Sequence, residues 1–534
     1  MAEKGEKYKY MLFKAFALLI FIFTFIVFLV ALIYTSWSLY LIFAQLFTTP
    51  ISFHLILELI LNLLTISVEI IGIFYTLMLF YHMGNTCFSP SSLSEPLIRD
   101  LTSYPFVSVV IPTHKPDLSI LEQTLQSIRE SNYPSEKISI FIGDDTEETD
   151  NYLQSMSSVL LKYNAHHVYD PKNKQYKAGM LNIVLSQIQS DFVVLLDYDH
   201  IIMPNFIRKS TSLLVNNEEL SFVTAKVNFR NLQNKLQIWE SMMYAQFFEV
   251  FSRSKHKRRK VIFNGSTACF RKSCLLDIGG ISTDTLTEDV CLTIDLFSRG
   301  HKSALLDEYG SYGLVPTTFS SLLSQIFRWA KGAVQSLKLR YKKIFQAKIP
   351  IFDRIDLLFS TSIFLITPTM YITVFFYICM YLTSSSVVRL PFEDFPYLLL
   401  MPIAFSLAYQ LSGVIAIVFA DKSGLKGLNI FDLFIFYIIA LALNPFTLYF
   451  LFRSIFRYSP PNRNKQEWTA QIPFLKISFA ITFFGCFTVF LGLLDFLSIG
   501  FQGSYWLILG LLGLTMVMTY PFTLFFHLKT RKSA

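Results

Sequence analysis

The chain has 534 residues, 53% of them hydrophobic, with 54 phenylalanines and a mean hydropathy of +0.45. That apolar share excludes an ordinary soluble protein. The net charge of +8 comes without a separate basic domain, which sets a nucleic-acid partner aside. Six cysteines, Cys87, Cys269, Cys274, Cys291, Cys379 and Cys486, show no CxxC spacing, so neither a zinc site nor a disulfide framework is expected.

In chain order, residues 1–90 read as a membrane hairpin. Lys4, Lys7, Lys9 and Lys14 accompany an apolar run at 13–35, longer than a signal-peptide core and followed by no small-residue cleavage site, so a retained anchor is expected. A second run at 55–81 returns across the membrane. It carries Glu58 and Glu69, and carboxylates at membrane depth are functional candidates by default, although Glu58 also suits a position near the interface.

Residues 100–345 have mixed composition and alternate strand and helix patterns. FVSVVIPT (106–113), ISIFIGDD (138–145) and DFVVLLDYD (191–199) read as strands, with helical ILEQTLQSIRES after the first and AGMLNIVLSQI before the third. Such alternation predicts a mainly parallel sheet with helices on both faces. Ligands of these sheets bind beyond the carboxyl ends of the strands. The three ends carry PTHKP, Asp144-Asp145 and Asp197-Tyr198-Asp199-His200. Asp197 and Asp199, two apart on a strand, point the same way and suit a hard divalent cation; an Asx turn or helix cap is the plainer alternative.

Further along, Thr287-Glu288-Asp289 opens a helix, either as a cap with acids in its first turn or with one carboxylate as a general base. QIFRWAKG (325–332) suits sugar stacking with phosphate binding, or an interfacial Trp/Arg anchor. SKHKRRK (254–260) reads as a solvated loop or a contact with anionic headgroups.

Residues 346–534 hold four apolar runs, 357–382, 397–420, 474–498 and 504–527, and a fifth at 430–452. Positive charge marks the cytoplasmic side, and it falls on both termini, on the domain flank (Lys338, Arg340, Lys342, Lys343, Lys348) and on loops 421–427 and 456–468. With both loops inside, 430–452 enters and leaves on one face, broken by Asn444-Pro445. Six spans and one re-entrant segment follow, in a multi-pass plasma-membrane protein with its central domain and both termini cytoplasmic. Membrane lipids surround it, and irregular backbone at membrane depth hints at a channel.

DD, DxD, TED and QxxRW, in this order between membrane spans, resemble the processive family 2 glycosyltransferases, nearest the bacterial cellulose synthase catalytic subunit, with hyaluronan synthases close by. The likeness covers about residues 100–345. KAGMLN (177–182) and the DYDH form of the metal motif look like the cellulose branch, and FRYSPP (456–461) resembles its gating loop. The resemblance implies an α/β GT-A domain inserted in a helical membrane region, binding a nucleotide-sugar donor and Mg2+ or Mn2+. Thr113, Asp144 or Asp145, Lys177, Asp197 and Arg328 would meet the donor; Asp197, Asp199 and His200 the metal. Asp289 would be the catalytic base, and Asn264, Gly265, Ser266, Glu288, Gln325 and Trp329 would border the acceptor, a growing glycan. Phe456, Tyr458, Ser459 and Pro460 would close over the donor.

Two departures stand out: PTHKP (His114, Lys115, Pro116) replaces PTYNE at the nucleobase, and Pro461 replaces the loop lysine, with Arg463 or Lys465 as substitutes. A UDP-sugar is the expected donor. No C-terminal PilZ domain, hence no cyclic-di-GMP control in cis, is expected; an accessory secretion subunit is compatible. The implied activity is inverting polymerisation with secretion of a β-linked polysaccharide. The alternatives are transfer of one sugar to a membrane lipid, as in ceramide glucosyltransferase, and a transporter or scaffold that has lost its chemistry.

Overall fold

A computed structural model describes residues 2–88, residues 101–365 apart from 102, 148, 149 and 174, residues 474–499, and scattered positions between 372 and 525. The run 397–420, the loops 421–427 and 456–468 and with them Phe456, Tyr458, Ser459 and Pro460 lie outside the described residues, as do most of 430–452 and half of 504–527.

The N-terminal hairpin forms as α1 (Ala2–Thr48) and α2 (Phe53–Phe88), separated at Pro50. Three described segments are long and apolar enough to cross a membrane: Phe21–Thr48, Phe53–Thr86 and Lys476–Leu494. The first of these overlaps the expected run 13–35. Glu58 and Glu69 are buried within the protein, and Gln45 donates to Glu58 at 3.2 Å across the hairpin.

The central domain runs β1 (Val107–Thr113), α3 (Leu118–Arg129), β2 (Ile138–Asp144), α4 (Asp150–Lys162), β3 (Ala165–Tyr169), α5 (Tyr176–Gln187), β4 (Phe192–Leu195), β5 (Ile201–Ile202), α6 (Phe206–Asn216), β6 (Leu220–Phe229) and α7 (Lys235–Gln246). A π-helical turn (Phe247–Ser252) leads into α8 (Arg253–His256). Next come β7 (Ala268–Arg271), α9 (Lys272–Asp277), α10 (Glu288–Ser298), β8 (Lys302–Gly313), α11 (Phe319–Gln346) and α12 (Ile351–Thr361). The eight described strands form one sheet, ordered β3-β2-β1-β4-β7-β6-β8-β5.

The predicted strands occupy its centre. Val109, Ile111, Ile140 and Val194 pack against α3 on one face, while Val110, Val193 and Leu195 meet Val184 and Leu185 of α5 on the other. Burial on both faces is why these strands read as continuous apolar runs. β1 pairs in parallel with β2 on one side and β4 on the other, so the strand order reverses there and opens a crevice at their carboxyl ends.

One expectation needs correction. Segment 254–260 is not a solvated loop: Ser254, Lys255 and Lys260 are buried. Lys255 and Arg258 instead pair with Asp356, and Arg258 also with Asp353. α12 ends at Thr361, overlapping the start of the run expected to span from 357, and buries Asp353 and Asp356 ahead of that run. Carboxylates with these partners belong to a protein interface rather than to lipid. His82 of α2 completes the cluster, 3.0 Å from Asp356 and 2.9 Å from Ser254. Asp356→Ala removes the carboxylate that pairs buried Lys255 and leaves Arg258 with Asp353 alone, so it should cost roughly 3–5 kcal/mol, read as a lower thermal-unfolding midpoint of the full chain. Asp277→Ala, which removes a half-exposed partner of His301, should leave the midpoint nearly unchanged.

Candidate active site

The β1, β2 and β4 ends bring the predicted polar groups to one rim. β4 stops at Leu195, so Asp197, Tyr198 and Asp199 lie in the turn that follows rather than on the strand. The alternation argument therefore does not orient them. The backbone N–H of Asp197 donates to Ser266 Oγ at 3.0 Å, and its carboxylate accepts from Lys177 Nζ at 2.7 Å.

Lys177, in the first turn of α5, also donates to the Gly265 carbonyl at 2.8 Å and lies 3.7 Å from Glu288. Burial works against its charge, yet Asp197, Glu288 and Asp289 outweigh it and hold its pKa above the usual lysine range. Gly265 has φ +93°, a conformation costly for any residue with a side chain, and a β-carbon there would lie 3.4 Å from Asp289 Oδ2. Asn264, Gly265 and Ser266 thus run between Lys177, Asp197 and Asp289.

Asp289 sits in the first turn of α10 and accepts from the Val290 N–H at 2.9 Å. Burial first, then neighbouring Glu288, pushes its pKa from 3.8 up to about 7, against the pull of Lys177. Thr287 occupies the cap position but does not cap: its hydroxyl meets Ser336 of α11 at 3.0 Å. This contact requires Gly332, where a β-carbon would fall 2.3 Å from Thr287 Cγ2.

Beside Asp289 lies a cavity of about 220 Å³, lined by Asn264, Tyr244 and Trp329 and by apolar Met243, Phe247, Phe251, Leu357 and Phe364. Trp329 stands 6.1 Å, centroid to centroid, from Tyr244, in edge contact. Arg328 feels the Glu288 and Asp197 carboxylates as well as Tyr244, and burial holds its pKa below the usual guanidinium value. QIFRW therefore divides along α11 into a cation toward the carboxylates and an indole toward the cavity.

Other predicted residues have different company. Asp144 is fully buried and accepts from Thr146 N–H, Tyr152 and His167, so its carboxylate serves the fold. Asp145, at the rim, meets half-exposed His114 at 2.8 Å and accepts from Asn173 at 3.0 Å. Thr113 donates to the Gly143 carbonyl at 3.4 Å. His200 turns Nδ1 to Ser311 at 2.8 Å, and its Nε2 edge packs on Gly313, where a β-carbon would fall 2.5 Å away. Tyr244 and Glu240 escaped the sequence reading; only their helical spacing, four apart on α7, marks them.

No described group of three or more His, Cys, Asp or Glu residues is arranged to hold a metal. Two carboxylates remain, Asp197 and Asp199. Burial, with the nearby Asp197 charge adding to it, raises the Asp199 pKa. Like charges held this close suit a hard cation that takes further oxygens from a ligand and water.

Residues 105–332 match the family described as Glycosyltransferase like family 2. "Cellulose synthase 2" of Novacetimonas hansenii is 27% identical over 323 residues, 58% of this chain and 19% of the relative. "Cellulose synthase catalytic subunit [UDP-forming]" of Xanthomonas axonopodis pv. citri (strain 306) is 27% identical over 251 residues, 46% of this chain and 34% of the relative. The chain thus aligns with a fifth to a third of these relatives' lengths. Among solved structures, mannosyltransferase PcManGT from Pyrobaculum calidifontis, in complex with GDP-Man and Mn2+, is 16% identical with a TM-score of 0.48, covering 75% of this chain and 100% of the other.

Two outcomes follow from the geometry. Because the Asp289 pKa is raised on folding, its contribution to stability is present below about pH 3.8 and lost as pH rises through about 7. Asp289→Asn should therefore raise the thermal midpoint more at pH 8 than at pH 4. Gly332→Ala should cost about 1–3 kcal/mol by overpacking, and combination with Thr287→Ser, which shortens the clashing side chain, should recover part of the midpoint.

Proposed function

We propose that this chain, whose residues 105–332 are a family 2 glycosyltransferase domain, is a membrane-bound inverting glycosyltransferase that extends a β-glucan from a UDP-sugar. The observation that carries the reading is Asp289: a buried carboxyl with a pKa near 7 between an aromatic-walled cavity and the Lys177–Asp197 pair. The resemblance to cellulose synthases supports the product class, and the "UDP-forming" name of one relative supports the donor.

In this reading the donor's diphosphate lies at the rim formed by Asp197, Asp199, Lys177 and Arg328, and its nucleoside lies toward Asp145. Asp197 and Asp199 would hold Mg2+ or Mn2+, which supplies charge neutralisation to the diphosphate when bound. The acceptor sugar stacks on Trp329, with Asn264 and Tyr244 beside it. Asp289 takes the proton from the acceptor hydroxyl as that oxygen bonds to the anomeric carbon. The bond from that carbon to the diphosphate oxygen breaks, and the nucleoside diphosphate leaves with the electron pair. One displacement inverts the anomeric centre. Helices on both sides of the domain suit secretion through a channel formed by the same chain, with the domain on the cytoplasmic side.

A second reading, transfer of one sugar to a lipid, has the apolar cavity wall on its side. The full chain in lipid nanodiscs, with Mn2+ and radiolabelled UDP-glucose, separates the two. Metal-dependent label in high-molecular-weight material is the expected result, lost on chelation and reduced about 10²–10⁴-fold in Asp289→Asn. The rate should climb with pH and level off above about 7, as Asp289 loses its proton. Label confined to the organic phase would favour the lipid reading, and no release of UDP would contradict both.

A further inference from the structure

α7 and α11 cross so that residues four apart on each helix face one another. Tyr244 meets Trp329 beside the Asp289 cavity. One turn away on both helices, Glu240 meets Gln325, whose amide hydrogen-bonds the carboxyl. An α-helical turn rises about 5.4 Å, on the scale of one sugar ring. Glu240 and Gln325 do not line the cavity at Asp289; they lie one turn before Tyr244 and Trp329, whereas Thr287, two residues before Asp289, packs on Gly332 and Ser336, beyond Trp329.

That level is built oddly for a packing contact. Glu240 is 2% exposed, yet its Oε1 is buried with no hydrogen-bond partner among the described residues, and so is Gln325 Oε1. Two buried, unanswered oxygens side by side cost free energy unless a donor comes to them. Among the described residues no arginine or lysine is paired with the carboxyl; its partner is an amide. Their other neighbours are apolar: Trp239, Met242, Leu322 and Ile326 of the same helices close one side.

We propose that Glu240 and Gln325 form a hydroxyl-binding rung for the acceptor's second sugar ring, one unit behind the ring that stacks on Trp329. Hydroxyl groups are the fitting ligand: each donates to an oxygen and carries no charge to bury. Burial also raises the Glu240 pKa to about 8, so at neutral pH the group carries a proton that it offers to a sugar oxygen. The preferred acceptor is then a disaccharide or longer glycan, because a single sugar on Trp329 leaves the rung unanswered. The inference rests on the glycosyltransferase reading and narrows its acceptor.

The test uses the full chain in nanodiscs with UDP-glucose, Mn2+ and added glucose, cellobiose or cellotriose, following both UDP release and elongated product. Wild type should use cellobiose and cellotriose at concentrations about 10-fold below glucose. Glu240→Ala should raise the half-saturating cellobiose concentration about 10-fold, leave that for glucose unchanged and keep the KM for UDP-glucose. Glu240→Gln, which keeps an uncharged hydrogen-bonding group, should restore most of the cellobiose preference. A role confined to packing would instead lower kcat or stability for all acceptors alike, which thermal unfolding of each variant detects. Equal use of glucose and cellobiose by wild type, or an unchanged cellobiose dependence in Glu240→Ala, overturns the rung while transfer itself stands. Absence of UDP release from wild type removes the parent reading and the rung together.

Discussion

The Lys177 ammonium is the contact on which the site depends. It joins four pieces of chain: α5, the turn after β4 through Asp197, the 264–266 segment through the Gly265 carbonyl, and the start of α10 through Glu288. Withdrawing an ammonium from water costs several kcal/mol unless partners replace the solvent, so these pieces hold their places together. The balance is uneven, since Asp197, Glu288 and Asp289 all act on one lysine. Burial first, and neighbouring negative charge after it, raises the pKa values of Asp289 on one side and Asp199 on the other. One geometry thus supplies a proton acceptor and a cation-seeking pair.

The cavity beside Asp289 is tied to α2 and α12 by a second buried cluster. The π-helical turn supplies Phe247 and Phe251 to its wall, and the chain then enters α8, whose Lys255, with Arg258 just beyond, grips Asp356 of α12. Phe251 also packs edge-on against His82 of α2 at 5.3 Å. π-turns tend to occur at functional sites, and here the extra residue sets two aromatic rings toward the cavity while the next turn docks on α2. A shift of α2 or α12 therefore reaches the cavity through packed groups.

Legibility in the sequence followed burial. β1, β2 and β4 could be read because both faces are covered and their runs are uniformly apolar. β6 could not: Lys226 and Asn228 interrupt its pattern, and only the structure reveals that Lys226 is neutralised by Glu249 and Asp307, each at 2.8 Å. The same blindness hid the basic 254–260 segment, whose partners lie about a hundred residues away on α12. At the site, the acids and QIFRW stood out as residue types with costly burial. Glu240 and Tyr244 did not, because they lie on a helix whose neighbours are aromatic and whose partner helix comes some eighty residues later. Asp144 shows what sequence hides in the other direction: a carboxylate at a strand end that accepts hydrogen bonds from Thr146, Tyr152 and His167 inside the fold.

The most direct measurement is an electron cryo-microscopy map of the full chain in nanodiscs with UDP and Mn2+. The account predicts density for the diphosphate and a cation at Asp197 and Asp199, beside Lys177 and Arg328, with the uracil toward Asp145 and the Trp329 cavity left open for the acceptor. Nucleotide density away from the β1–β4 rim, or none at saturating UDP and Mn2+, would contradict it.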